Sequence, residues 1–377
     1  MKKIISIIIA ACFFLCLLGC QKPAQSETIS TEAATTAPDE IPAVTTVDVP
    51  FTAVALPTFT TSETAEDGTV VFTKTYQEIA LTLSGQAAAD QIVLDFLNRV
   101  DSATANASSL SANAQSAFAS ADTSNWIPHA LSIRYEPTRI DQGILSLFGN
   151  SITYTGGSHP DYRCVAVNYN LITGETLSLG SIVTSVEAVE KLHQLVLEEL
   201  EKQQVEKYLR SGYAQTVDQR FAGEESYNYD WYFSDAGICF YFAPYEIAPY
   251  SSGIIVAEVP YEKLLGIITD EFFPPEQQNV VGTVEFTNFN ADEQEYAHIS
   301  ELILDNESPM YALSTDSCVQ NIRIMALDEQ TQEAHAIYAA LYLNPDDAIV
   351  LQCSDEMLST MHVEYTSNGE IVTLPLA

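Results

Sequence analysis

G-I-C-F-Y-F-A-P-Y-E-I-A-P-Y-S-S-G, residues 237–253, is the stretch that decides how this chain is built. Ile238, Cys239, Phe240, Tyr241 and Phe242 put apolar side chains on both faces of a strand, because successive residues point to opposite sides. A strand apolar on both faces belongs mid-structure, with a layer above and a layer below. Pro244 and Pro249 lack an amide proton, so the segment after Phe242 is neither a helix interior nor a central strand. The chain therefore leaves a core strand through a rigid loop that carries Tyr245, Glu246 and Tyr250. Loops held by a rigid scaffold are where binding concentrates.

Upstream, residues 70–83 alternate in the manner of a strand, and Ile92, Val93, Phe96, Leu97 and Val100 recur at helical spacing. Alanine-rich sequence extends the helical region to about residue 121. Residues 126–140 and 143–154 read as strands. Gly156-Gly157-Ser158-His159-Pro160 is a turn, since two glycines and a proline demand special backbone angles. Residues 163–170 form the next strand, closed by Leu171-Ile172-Thr173-Gly174. Thr184-Ser185-Val186-Glu187 has the spacing of a capping box. The helix it predicts runs to about residue 208, with Val189, Leu192, Val196 and Leu200 inward. Residues 227–233 and 254–259 read as strands flanking the opening stretch, and 264–273 as a short helix.

Pro274-Pro275-Glu276 marks a boundary. Residues 280–377 alternate with many turn signals, which predicts a small antiparallel sandwich. The fold class expected is α+β: a mixed sheet-and-helix module, split at about residue 160 into 66–160 and 161–274, then an all-β domain at 280–377.

Lys2 and Lys3 precede an apolar run over residues 4–18, the form of a secretory signal and short for a membrane span. Leu17-Leu18-Gly19-Cys20 resembles a bacterial lipobox. That resemblance implies removal of residues 1–19 and a diacylglycerol, palmitate-bearing anchor on Cys20. The chain is then expected on the outer face of the cell membrane. Residues 20–65, rich in Thr, Ala, Pro and Ser, read as a disordered tether. Forty such residues span roughly 35 Å as a flexible coil.

The 377 residues are 47% hydrophobic and carry a formal net charge of −36. Such acidity excludes nucleic-acid binding, which needs clustered Lys and Arg. It serves solubility, or favours encounter with a basic partner. Of seven cysteines, Cys164, Cys239, Cys318 and Cys353 remain after the signal and lipidation site. No pair has C-x-x-C spacing. Cys164–Cys239 and Cys318–Cys353 are the natural disulfide pairings, and four packed free thiols are the alternative. None of His129, His159, His193, His298, His335 and His362 makes a zinc motif, and no nucleophile elbow or phosphate loop occurs. Asp346-Asp347 reads as a solvated turn. No catalytic residue, metal or cofactor is expected.

Four pieces stand in order: Gly156-Gly157-Ser158-His159-Pro160; residues 168–179, N-Y-N-L-I-T-G-E-T-L-S-L; the capped helix; and Phe240-Tyr241-Phe242-Ala243-Pro244-Tyr245-Glu246-Ile247-Ala248-Pro249-Tyr250. Together they resemble the extracytoplasmic domain of RsiV-type anti-sigma factors, a pair of modules that also precedes the catalytic domain of PdaC-type peptidoglycan deacetylases. The resemblance covers residues 68–273, loosely in its first half and specifically in the Gly-Gly-x-His-Pro and Tyr-Glu-Ile-Ala-Pro-Tyr pieces. It implies an α+β sensor module that, in the RsiV-type case, binds lysozyme and so exposes the anti-sigma factor to proteolysis. The departures are a lipidated cysteine in place of a spanning helix and sigma-binding segment, and a C-terminal region too short for a deacetylase domain.

The expected function is a monomeric, lipid-anchored, non-catalytic binding module for a basic protein such as lysozyme or for peptidoglycan fragments. Gly156, Gly157, Ser158, His159, Pro160, Pro244, Tyr245, Glu246, Pro249 and Tyr250 are its candidate ligand surface. A tyrosine beside a proline offers apolar area and a hydroxyl at little entropic cost. His159 either reaches a ligand or satisfies the backbone of its own turn. The alternatives are a cell-wall glycan-modifying enzyme, for which paired carboxylates among 51 acids are uninformative, and a structural adaptor using the C-terminal β domain.

Overall fold

The computed structural model describes residues 42–377 except 122, 223–230, 291–295 and 329–332. The signal segment, Cys20, the tether up to residue 41, and Tyr227 and Tyr229 lie outside the described residues.

The expected tether ends earlier than residue 65. Ala53–Ala55 (β1) is fully buried, and Thr58–Thr64 (β2) is a regular edge strand. β1 pairs on one side with Ala80–Thr82 (β4) and on the other with Ala334–Leu343 (β15). Val54 and Leu56 are buried in the core beneath them. A composition argument weighs only local residues; here the apolar partner arrives from almost 300 residues away.

Val70–Gln77 (β3) and His129–Ile140 (β5) lie parallel in a five-stranded sheet ordered β2-β3-β5-β6-β7, with Ile144–Tyr154 (β6) and Asp161–Asn170 (β7) antiparallel beyond them. Parallel neighbours need a long crossover. Here it contains β4 and the helices Gln86–Thr104 (α1) and Ala107–Ser120 (α2). Ile92, Phe96 and Val100, one helical face of α1, pack on Ile133, Tyr135, Leu145 and Leu147 of the sheet.

Ser178 and Ser181 cap each other at Leu179–Ile182 (α3), where no capping box is read from the sequence. Val186–Gln203 (α4) is capped by Ser185, whose hydroxyl accepts from the Ala188 amide. Thr184 instead donates its hydroxyl to the Gly266 carbonyl at 2.9 Å. Its backbone amide is bound to Ile267, so the cap falls one residue later than Thr184. Tyr213–Phe221 (α5) comes next.

Trp231–Phe233 (β8), Gly237–Phe242 (β9) and Ile255–Pro260 (β10) form a three-stranded sheet with β9 in the middle. Every residue of β9 is buried. Ile238, Phe240 and Phe242 face Leu192, Val196 and Leu200 of α4. Cys239 and Tyr241 face Phe148, Cys164 and Ala166 on the five-stranded sheet. The double-sided strand thus lies between a helical layer and a second sheet. Gly237 starts it because a Cβ there would stand 2.2 Å from the Val259 carbonyl oxygen. Residues 264–273 are not a helix. Gly266 has φ +72° and Thr269 is extended, so only the 3-10 turns Tyr261–Lys263 and Asp270–Phe272 form nearby.

Buried polar groups join these layers. Arg139 donates to Asp141 at 2.6 and 2.8 Å, to the Tyr261 hydroxyl at 2.6 Å and to the Phe272 carbonyl at 2.7 Å. Ser146 and Asn168 bond the β8 backbone where no strand pairing exists.

The C-terminal region is sandwich-like. One sheet runs β18-β17-β14-β15-β1-β4, with Val319–Leu327 (β14), Met361–Ser367 (β17) and Glu370–Pro375 (β18). The other runs β11-β13-β16-β12, built from Val284–Asn288, His298–Ile303, Met310–Thr315 and Asp347–Gln352, with β12 parallel to β16. Leu302, Leu313, Ile322, Ile324, Ile349 and Val363 fill the space between them. Because β1 and β4 complete its sheet, this region is not a unit separable at residue 280. Asp347 is 3% exposed rather than solvated, accepting from the Asn344 amide and pairing with His298 at 2.8 Å. All four described cysteines are free thiols.

Candidate functional site

The loop after β9 is shaped by its acid. Glu246 accepts from the Ala243 amide at 3.0 Å with one oxygen and pairs with Arg220 through the other. Arg220 also donates to the Tyr241 carbonyl at 3.0 Å and lies 4.6 Å over the Phe242 ring. Glu246, expected at the ligand surface, is a fastener of the loop. Ile247 and Ala248 are buried and pin the loop from below. Tyr245 is left projecting, 50% exposed, at φ +73°. A bulky residue in the left-handed region is uncommon and costs of order 1–3 kcal/mol.

The second loop, between β6 and β7, carries Gly156 at φ +87°. It reaches the first. His159 stacks on Tyr250 with ring centroids 4.2 Å apart and planes 28° off parallel. His159 Nδ1 lies 3.1 Å from the Pro160 carbonyl, and a carbonyl only accepts, so Nδ1 carries the proton. In the neutral ring Nε2 then accepts from the Tyr245 hydroxyl at 3.3 Å. Tyr250 donates to the same Pro160 carbonyl at 3.4 Å, and Tyr162 lies 6.1 Å from its ring. Burial first, then the neighbouring tyrosines, push the Tyr250 hydroxyl above its ordinary pKa. His159 thus satisfies its own turn and reaches across to the other loop.

The expected residues divide accordingly. His159, Pro160, Tyr245 and Tyr250 meet in one aromatic ledge, and Pro244 and Pro249 flank the two tyrosines. Gly157, Ser158, His159 and Pro160 also line a cleft of about 630 Å³, on the same face of the five-stranded sheet that packs against β9. Gly156 turns away, with a would-be Cβ 3.3 Å from His129 Nε2.

Sequence reasoning missed the rest of that cleft. Its floor includes Ser132, Arg134, Glu136, Phe148, Asn150 and Ile152, and Asp328, Glu333 and His335 line it from the C-terminal region. Arg134 pairs with Asp328. Burial, then the Arg134 charge, pushes His335 down to about 4. Burial raises Glu136 against the pull of the Ala336 amide and Arg323. The available signal was the alternation His-Ala-Leu-Ser-Ile-Arg-Tyr-Glu in β5, whose even-numbered residues form a half-buried polar face. What the pattern could not reveal was the wall brought by the C-terminal hairpin.

Among the described residues no group of three or more His, Cys, Asp or Glu gathers as a metal site, and no helix is long and apolar enough to cross a membrane. Burial, then Glu258, pushes the Cys239 thiol up to about 12, so it is protonated and unreactive at neutral pH.

Residues 182–262 match the family described as "Protein of unknown function (DUF3298)". A DUF3298 domain is therefore present, spanning α4 to β10 and including the whole 237–253 stretch. Two solved DUF3298 structures are similar to the chain. One, from Bacteroides fragilis NCTC 9343, has 18% identity and TM-score 0.41, covering 58% of this chain and 94% of that one. The other, from Pseudomonas aeruginosa PAO1, has 15% identity and TM-score 0.39, covering 59% and 98%. No curated protein matches the chain.

Proposed function

We propose that this protein is a non-catalytic binding module of the cell envelope, held by a lipid on Cys20, whose ligand surface is the aromatic ledge above the DUF3298 sheet. The observation that carries the reading is the contact between its two motif loops: His159 stacked on Tyr250 at 4.2 Å with Tyr245 exposed beside them. An exposed tyrosine beside a half-buried one on a fastened loop has the character of a binding hot spot. Strain at Tyr245 fits a side chain held ready for contact.

The ligand is a basic protein such as lysozyme or a peptidoglycan fragment. The resemblance of these loops to RsiV-type sensors supports the first, as does the net charge of −36. The hydroxyl- and amide-lined cleft beside the ledge supports the second. Calorimetry of the chain from residue 20 onward against lysozyme, at low and high salt, tests the reading. Binding that weakens with salt is expected. No heat with lysozyme or with soluble wall fragments, at low salt, contradicts it. Anchoring is tested by Cys20→Ala, which should move the protein out of the membrane fraction.

A further inference from the structure

The cleft has a chemistry of its own, distinct from the exposed tyrosines. Sheet register places Ser132 opposite Ile152, Arg134 opposite Asn150 and Glu136 opposite Phe148, so its floor is polar along β5 and offers the apolar Ile152 and Phe148 on β6. Tyr154, His159 and Tyr162 also line it, as does Ile127, which is 61% exposed. Its volume of about 630 Å³ falls within the ~300–1,000 Å³ of small-ligand sites.

A pyranose ring matches such a lining. Its C–H faces pack on aromatic and aliphatic surface, and its rim of hydroxyls exchanges hydrogen bonds with hydroxyl and amide side chains. The lining adds a sign. Glu136, Asp328 and Glu333 line the cleft together with Arg134, and His335, with its pKa near 4, is uncharged at neutral pH. A carboxylated sugar would be repelled by this lining and by the chain as a whole.

We propose that this cleft binds an uncharged saccharide segment of roughly two to three pyranose rings, a length set by its volume, with Tyr154 and Tyr162 as packing surfaces and Ser132 and Asn150 as hydrogen-bonding partners. The proposal rests on the reading of the module as a binder of envelope ligands. It adds to the ledge a second ligand surface, the cleft beside it, and commits that surface to glycan.

The probe is the trimer of N-acetylglucosamine, titrated into the chain from residue 20 onward, with hydrogen-exchange mass spectrometry of the complex. Saturable binding is expected, with protection over residues 130–136 and 148–154. Tyr154→Ala/Tyr162→Ala should weaken it roughly ten-fold or more, as loss of packing anchors does. Should that variant unfold, the protection map of the unaltered protein decides alone. An oligogalacturonate trimer should bind far more weakly. Equal or tighter binding of the uronate overturns the assignment of an uncharged ligand. Protection confined to 244–250 overturns the cleft while leaving the ledge as the ligand surface. No binding of the trimer up to about 10 mM overturns the proposal. Lysozyme binding measured on the same sample then shows whether the broader reading also fails.

Discussion

The two halves of residues 237–253 are chemically alike and do opposite things. Phe240 and Phe242 in β9 and Tyr245 and Tyr250 in the loop are all large aromatics, yet the first pair is fully buried between α4 and a sheet while Tyr245 is half exposed. The difference lies in the backbone. In β9 each residue is paired to β8 or β10. Beyond Phe242 the prolines end the pairing, and the Glu246–Arg220 fastening bends the chain outward. Aromatic area serves stability where the ladder continues and is left for contact where it stops.

Breaking the strand should cost most. Phe240→Ala should lose about 3–5 kcal/mol of stability, read as a lower urea midpoint, by the usual scale for an emptied aromatic core site. Breaking the fastening should cost less. Glu246→Ala removes one partner of Arg220 and leaves the Ala243 amide without the Glu246 acceptor, for about 1–3 kcal/mol in the same assay. If it costs nothing, the loop is shaped by its prolines alone.

A third outcome concerns the cleft wall. His335 is pushed down to about 4, next to Arg134 and near Glu136. Between about pH 6.5 and 4 the unfolded chain binds a proton there that the folded one refuses. Stability should therefore be whole above pH 6.5 and fall as pH drops through this window, by about 2 kcal/mol after allowing for solvent at this partly open site. Melting curves of His335→Leu should lack that part of the acid loss. An identical acid limb would show that the histidine is solvated. The smallest effect is expected at the strained tyrosine. Tyr245→Gly relieves φ +73° but frees the unfolded chain, for a net gain of no more than about 1 kcal/mol.

How much of this was legible depends on the range of each signal. The double-sided strand was readable because five consecutive apolar residues leave no polar face, and the loop because two prolines forbid pairing. Both motif loops were grouped as one candidate ligand surface from the sequence, and His159 joins them by stacking on Tyr250. The fastening role of Glu246 was not legible because nothing local marks Arg220, 26 residues earlier, as its partner. The tether was drawn too long for the same reason: Val54 and Leu56 look isolated among Thr and Pro until Ala339 of β15 closes on them. The cleft combines both failures, with a polar strand face readable in β5 and a wall from β14–β15 that is not.

The division of the 237–253 stretch is tested most directly by Tyr245→Ala/Tyr250→Ala. Its thermal melt and its calorimetric titration with lysozyme and with soluble peptidoglycan fragments should be compared with those of the unaltered protein. The account predicts a melt within a few degrees of the original and at least ten-fold weaker binding of the ligand held at the ledge, lysozyme. Normal folding with unchanged binding would contradict it, and would make the loop a rigid corner of the fold and nothing more.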